Sequence, residues 1–276
     1  MNVLPVNIFS YKNQNPHFSS YNADVYKKGK ILYRNHTELL RLDICWQAFI
    51  DLIIKKYQNV PKVNIVNHAC SAGYEAWTLL ILLLKKLGVN YKKFMPIIAR
   101  DIDKKVIEYA QKGKMELCSG EYYDATYNCP NIIKENFDVV KRTIGGNISR
   151  SNEYLLTCKT DLKKNIDFKC SDIFKDKDLI SKDNTILLCR NFWPYLGAKK
   201  SSELAYFLAN NMKSNSLLVV GDYDYDYGIR QLLLDYGFKP TNVEYVFEAP
   251  GKSALKKVKD FEFEHKLRED LFSTSN

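Results

Sequence analysis

Five short runs rich in β-branched residues, separated by longer stretches with helical spacing, restrict this chain to an α/β fold more tightly than any other feature of its sequence. The runs are Val63–His68, Pro96–Asp101, Ile166–Cys170, Thr185–Arg190 and Ser216–Asp222, and the helical stretches between them cover 74–87, 103–112, 198–213 and 228–236. Such alternation builds a parallel sheet with helices on both faces, a doubly wound domain. Ahead of it, apolar residues at helical spacing predict an amphipathic helix over 38–57, stopped by Pro61. Two late runs, 242–249 and 261–265, predict an antiparallel edge. Residues 118–165 break the alternation: a helical part near 131–140, Gly145-Gly146 and a polar segment ending in Thr160 predict an inserted subdomain. The expected organisation is a helical extension over 1–60 and an α/β domain over 61–276 that carries this insertion.

Composition removes several functional classes. With 46% hydrophobic residues the chain can bury an ample core, which excludes a wholly disordered protein. The longest apolar run, Ala76–Leu84, is nine residues, whereas a bilayer takes about 20. The first 20 residues hold no apolar stretch of signal length, so a cytoplasmic protein without membrane insertion is expected. The seven cysteines are odd in number and never form C-x-x-C, which predicts apolar fillers with no metal site and no disulfide framework. Lys and Arg exceed Asp and Glu by 41 to 32, a net +9, but the lysines are scattered and no nucleic-acid-binding signature accompanies them. Solvated helix faces account for the excess, and no nucleic-acid partner is expected.

In open α/β sheets the ligand sits beyond the carboxyl ends of the strands, at the switch point. Val63–Asn67, the candidate first strand, runs into the small-residue turn Asn67-His-Ala-Cys-Ser-Ala-Gly-Tyr-Glu, where Cys70, Ser71 and Gly73 can bring backbone close to a ligand. A single glycine is too few for a dinucleotide fingerprint, and no P-loop is present. A strand-to-helix turn without a ligand would look the same. Asp101 and Asp103 end the second strand, where a carboxylate commonly accepts ribose hydroxyls. Asp is also a frequent helix cap, so Asp101 is assigned to the ligand and Asp103 partly to a cap. His68 at a strand end is expected to be hydrogen-bonded in place.

Four segments in order, Ala69-Cys-Ser-Ala-Gly-Tyr-Glu, Ala99-Arg-Asp-Ile-Asp-Lys-Lys-Val-Ile-Glu-Tyr-Ala, Phe168-Lys-Cys-Ser-Asp-Ile-Phe and Leu188-Cys-Arg-Asn-Phe-Trp-Pro-Tyr-Leu, resemble the CheR-type chemotaxis receptor methyltransferases. Members of that family read approximately A-C-S-T-G-E-E, A-T-D-I-D-x-x-V-L-x-x-A, F-x-x-x-N-L-L and F-C-R-N-V-x-I-Y-F. The resemblance spans 31–238 and implies a Rossmann-like, seven-stranded sheet of the class I methyltransferase type, binding S-adenosylmethionine and releasing S-adenosylhomocysteine. It further implies that Glu75 contacts the amino acid end of the cofactor and Asp101 the ribose. Asp172 and Ile173 would line the adenine, Arg190 and Asn191 would lie under the methionine, and Tyr195 would cover the pocket. For Tyr195 and Trp193 core packing is the competing assignment.

The chain departs from the family at several points. The family's T-x-F-F-R is expected at Lys30-Ile-Leu-Tyr-Arg34, Tyr74 stands for the first Glu of G-E-E, and Asp172 stands for Asn. Gly221-Asp-Tyr-Asp-Tyr-Asp-Tyr-Gly replaces G-H-S-E-S, setting an acidic run at the expected entrance. The implied reaction is methyl transfer to a protein glutamate, whose side chain, with a pKa of about 4.3, is ionised at neutral pH and needs no general base. Arg34 would orient that carboxylate, or else pair with Glu38 four residues on. The expected partner is an acidic protein segment such as a receptor methylation helix. A small-molecule acceptor, or a binding module without catalysis, remains open.

Overall fold

The computed structural model describes residues 22–27, 30–41, 43–144 and 151–250, with the side chains of 22–36, 144, 151 and 160 outside the description. The chain begins with a hairpin, β1 (Asn22–Lys27) and β2 (Lys30–His36), followed by helix α1 (Trp46–Lys56). The α/β alternation follows as β3 (Asn64–His68), α2 (Tyr74–Leu87), β4 (Ile97–Asp101) and α3 (Lys104–Ala110). Next come β5 (Lys114–Cys118), α4 (Ser119–Asn128), α5 (Pro130–Asn136), β6 (Phe137–Ile144), β7 (Ser151–Cys158) and α6 (Thr160–Lys163). The alternation resumes with β8 (Ile166–Cys170), α7 (Lys177–Ile180), β9 (Thr185–Cys189), α8 (Gly197–Asn211) and β10 (Leu217–Val219). It ends with α9 (Asp222–Asp226), α10 (Ile229–Asp235), β11 (Lys239–Pro240) and β12 (Val246–Glu248).

The main sheet has seven strands in the order β8-β4-β3-β9-β10-β12-β11, with β12 antiparallel to both its neighbours. The winding reverses between β3 and β9, the switch point of a doubly wound sheet. Adjacent residues on each strand serve opposite faces. Ile65, Ile186, Leu188, Leu217 and Val219 pack with α1, α2 and α3, whereas Val66, Leu187, Cys189, Leu218 and Val220 pack with α8 and α10. The fold is the class I methyltransferase type expected. Helix α2 is buried almost all round because the sheet, α1 and a small second sheet enclose it, and Trp77 meets the Phe137 ring edge-on at 5.9 Å. That second sheet, ordered β5-β7-β6, shares the main core through Met115, Leu117 and Leu156.

Several expectations change. Residues 38–41 and 43–45, expected to open a helix, are irregular: Leu40 has a φ of 55°, and the helix starts only at Trp46. Their apolar spacing is real, since Leu39, Leu40 and Ile44 are buried, but it serves a loop pinned to the core. The extension expected to be helical contains the β1–β2 hairpin, whose sequence signal is Gly29 between two extended runs. In the insertion, helix α5 stops at Asn136, and Phe137–Ile144, with Val139-Val140, forms a strand instead. The three-stranded sheet also begins at Lys114, ahead of the expected boundary. The fifth run narrows to Leu217–Val219, because Asp222 starts α9. The late edge reduces to Val246–Glu248 with Lys239–Pro240, and the expected strand at 261–265 lies outside the described residues. No helix is long and apolar enough to cross a membrane among the described residues.

Candidate functional site

A cavity of about 380 Å³ opens at the switch point, at the carboxyl ends of β3, β4 and β9. Its floor is the turn after β3, where Ala69 (φ 56°) and Ser71 (φ 50°) hold left-handed backbone, a conformation that persists only when its surroundings fix it. Asp101 supplies that fixing. Its Oδ2 accepts the Ser71 amide at 2.8 Å and its Oδ1 accepts the Asp103 amide at 2.9 Å, so one carboxylate ties two strand ends together. Burial raises its pKa, against the lowering effect of these amides. Gly73 closes the turn at φ 87°, where a Cβ would lie 2.6 Å from the Phe168 ring.

Above this floor runs a chain of alternating charges. Glu75 accepts from Asn67 Nδ2 at 2.5 Å and pairs with Arg190. Arg190 also pairs with Asp43 and lies over the Trp46 ring, 5.2 Å from its centroid. Asp43 in turn accepts from Asn191 Nδ2 at 2.8 Å and holds Arg41 Nε at 3.1 Å. Burial opposes the charge on Arg190, but Glu75 and Asp43 outweigh it and raise its pKa. Two guanidinium groups and two carboxylates thus balance within a mostly buried network, the condition under which buried ions are tolerated.

Of the residues expected from sequence, Cys70, Ser71, Glu75, Asp101, Arg190, Asn191 and Tyr195 line the cavity. Tyr195 is about one-third exposed at its mouth, whereas Trp193 is fully buried, so the core-packing assignment applies to the second only. Gly73, Asp103, Asp172 and Ile173 lie outside the lining. Asp103 caps α3 by accepting the Lys105 amide at 2.8 Å, and Asp172 caps a short turn by accepting the Phe174 amide at 3.1 Å. Ile173 belongs to the core beneath α8. Ser171 N–H donates to the Asp101 carbonyl at 2.9 Å, which keeps the Asp172–Ile173 turn beside Ile102 of the cavity wall. His68 Nε2 is 3.0 Å from Asp176 Oδ2, a buried pair away from the lining.

Arg34 stands in β2 opposite Asp24, and its side chain is outside the description. Among the described residues, the cations that line the cavity besides Arg190 are Arg41 and Lys200. Thr37, Glu38, Arg41 and Trp46 form a wall absent from the expectations. Its signal was available: Thr37-Glu-Leu-Leu-Arg41 keeps the T-x-x-x-R spacing that Lys30–Arg34 lacks. Asp224 also escaped notice. The acidic run does not present it to the entrance; it is fully buried and accepts the amides of Gly221, Asn191 and Trp193 at 2.7, 2.8 and 3.3 Å. Tyr74, at the altered position of the first motif, is likewise buried and receives the Glu116 amide at 2.7 Å, so it fastens β5 rather than facing the cavity.

Three buried polar atoms on cavity residues have no hydrogen-bond partner among the described residues: Ser71 Oγ, Arg190 Nε and Asn191 Oδ1. Buried polar groups are normally satisfied, so Ser71 Oγ and Arg190 Nε fit a polar ligand that supplies the missing partners, whereas Asn191 Oδ1 is turned against Gly221, where a Cβ would lie 1.9 Å from it. Among the described residues no group of His, Cys, Asp and Glu is placed to hold a metal ion.

Comparison with known proteins agrees with this architecture. Residues 35–225 match the family model described as CheR methyltransferase, SAM binding domain. The chain is 24% identical over 194 residues to a chemotaxis protein methyltransferase of Borreliella burgdorferi, covering 68% of this chain and 63% of that protein. It also aligns, at 11% identity and a TM-score of 0.14, with M. capricolum TrmK in complex with S-adenosyl-homocysteine, over 68% of this chain and 96% of that one, a likeness too slight to bear on fold or ligand. The matched segment contains the turn after β3, the acidic end of β4, the Arg190-Asn191 pair and the Thr37–Arg41 wall, and on that match the chain belongs to the CheR methyltransferase family.

Proposed function

We propose that the cavity binds S-adenosylmethionine and that the chain transfers its methyl group to a carboxylate on an acidic protein segment; the name of the B. burgdorferi relative, a chemotaxis protein methyltransferase, supports the methyl transfer. The observation that carries this reading is the cavity at the switch point, with Asp101 on its floor and two unpartnered polar atoms, Ser71 Oγ and Arg190 Nε, on its lining residues. Asp101 retains lone pairs for ribose hydroxyls beyond the two amides it already accepts. Glu75 and the Arg190-Asn191 pair offer opposite charges to the amino acid end, and Ile102 offers an apolar surface to the adenine.

The bound cofactor supplies an electrophilic sulfonium methyl group. The protein has no proton to remove from an ionised acceptor carboxylate; its task is placement and exclusion of water. Tyr195, at the mouth, covers the reacting end. Arg41 takes the orienting role first assigned to Arg34: it lines the cavity, is partly exposed, and Asp43 fixes its guanidinium at 3.1 Å. A fixed guanidinium presents paired donors to a carboxylate. The net charge of +9 favours encounter with an acidic segment, an attraction that weakens with salt. Because Asp224 is turned inward, the acidic run opposes such a partner less than its sequence suggests.

The test is methyl transfer from labelled S-adenosylmethionine to glutamate-rich receptor segments. The expected product is a base-labile ester. Arg41→Ala should lower transfer about 100-fold, as loss of a charge-assisted pair of about 2–3 kcal/mol requires. Transfer that survives Arg41→Ala but not Arg34→Ala returns the role to Arg34. A base-stable methyl product overturns the carboxylate assignment and leaves the cofactor site standing.

A further inference from the structure

Residues 37–41 form a wall of the cavity without belonging to any helix or strand beyond β2, so something outside the segment must hold it in place. Its side chains divide by direction. Thr37, Glu38 and Arg41 line the cavity, while Leu39 and Leu40 are buried in the core on the other side. Its backbone is held from three places. Leu39 N–H donates to Glu121 Oε1 at 3.3 Å, Leu40 N–H donates to Thr78 Oγ1 at 2.9 Å, and the Arg41 carbonyl accepts from Trp46 Nε1 at 2.7 Å. Leu40 keeps a φ of 55°, a conformation that costs a non-glycine residue energy and persists where neighbours fix it.

Glu121 belongs to the inserted subdomain. Its second oxygen, Oε2, accepts the Cys118 amide at 2.9 Å at the start of α4, and its own amide donates to Cys118 Sγ at 3.5 Å. One carboxylate therefore spans the junction between the subdomain and the wall. A helix cap alone would occupy only the Cys118 side; the other oxygen, Oε1, is turned outward to a residue 82 positions earlier in the chain. Thr78, from the middle of α2, holds the adjacent amide from the main domain.

We propose that Glu121 and Thr78 are positioning residues that together fix the Thr37–Arg41 wall, so that the inserted subdomain sets the shape of one side of the cofactor cavity. Neither residue lines the cavity; each acts through one of two neighbouring amides of the wall. The consequence for binding rests on the cofactor reading above, whereas the clamp itself does not.

Hydrogen exchange of the full chain and calorimetry with S-adenosylhomocysteine test the proposal. Glu121→Gln and Thr78→Val, which change different elements, should both accelerate exchange over 37–46 by about tenfold while β3, β4 and β9 stay protected. Both should also weaken S-adenosylhomocysteine binding by about tenfold through displacement of the wall. Cys118→Ala removes the sulfur acceptor of the cap and leaves both Glu121 oxygens with their donors, so exchange over 37–46 and affinity should match the wild type. Unchanged exchange over 37–46 in both Glu121→Gln and Thr78→Val overturns the proposal, as does a Glu121→Gln effect confined to α4 and β5. If the wild-type chain fails to bind S-adenosylhomocysteine, the cofactor reading falls, and the exchange pattern still decides the clamp.

Discussion

Asp224 offers a test of the site's architecture that needs no substrate. It is fully buried, and its carboxylate accepts three backbone amides, from Gly221, Asn191 and Trp193. Two effects compete. Burial disfavours the charged form, the amides favour it, and burial prevails, raising the pKa from 3.8 to about 7. The folded state thus binds a proton more readily than the unfolded chain, and this contribution to stability is complete below 3.8 and lost as pH rises through about 7. Between pH 5 and 8 the loss amounts to about 2.5 kcal/mol. Asp224→Asn has no proton to gain or lose. Its amide nitrogen, placed at Oδ1, would oppose the Trp193 N–H and cost about 1–3 kcal/mol. The variant should therefore be clearly less stable than wild type at pH 5, with the gap narrowing or reversing by pH 8. Urea unfolding of both proteins across that range measures it, since other titrating groups cancel in the difference. A constant gap, or one that widens with pH, would show that the three amides hold the carboxylate ionised and that the balance assigned here is reversed.

Gly73→Ala should destabilise the chain by about 2 kcal/mol, because φ is 87° and the new Cβ meets the Phe168 ring; unchanged urea unfolding would mean that the ring moves aside freely. Arg190→Ala strands Asp43 and Glu75 without their shared cation and should cost about 3–5 kcal/mol in the same assay. Asp101→Ala should weaken S-adenosylhomocysteine binding by about 1–3 kcal/mol in calorimetry. Because its carboxylate also accepts the Ser71 and Asp103 amides, it should lower folding stability as well, and a variant with wild-type affinity would place the ribose elsewhere.

The main sheet was legible because its central strands are buried on both faces and its helices, α2 apart, mainly on one. Continuous runs such as Ile186-Leu-Leu-Cys have no polar position to blur them, and α2 begins at Tyr74 and ends before Gly88, as its spacing predicts. Legibility fell where burial depends on a partner distant in sequence. Phe137–Val140 reads equally well as the end of a helix or as a strand, and it is a strand because β7 pairs with it across residues 151–158. The apolar spacing over 38–44 matches a helix, yet two of its amides go to Glu121 and Thr78 instead of to the carbonyls four residues back.

The site shows the same division. Asp101, Glu75 and the Arg190-Asn191 pair sit at strand ends or at the first turn of a helix, where topology alone fixes their direction, and they were found. Thr37–Arg41 owes its direction to tethers from α2 and from the inserted subdomain, so spacing could place an arginine near the cavity but not decide which one. The same dependence bears on function. An arginine held only by its own loop would reorient freely, and the entropy of fixing it would oppose every acceptor. Arg41 is already fixed, with its carbonyl on Trp46, its guanidinium on Asp43 and the two preceding amides anchored in separate elements. A guanidinium arranged in this way before an acceptor arrives spends little on ordering, which is the property that the proposed methylation of an already ionised carboxylate would demand of its site.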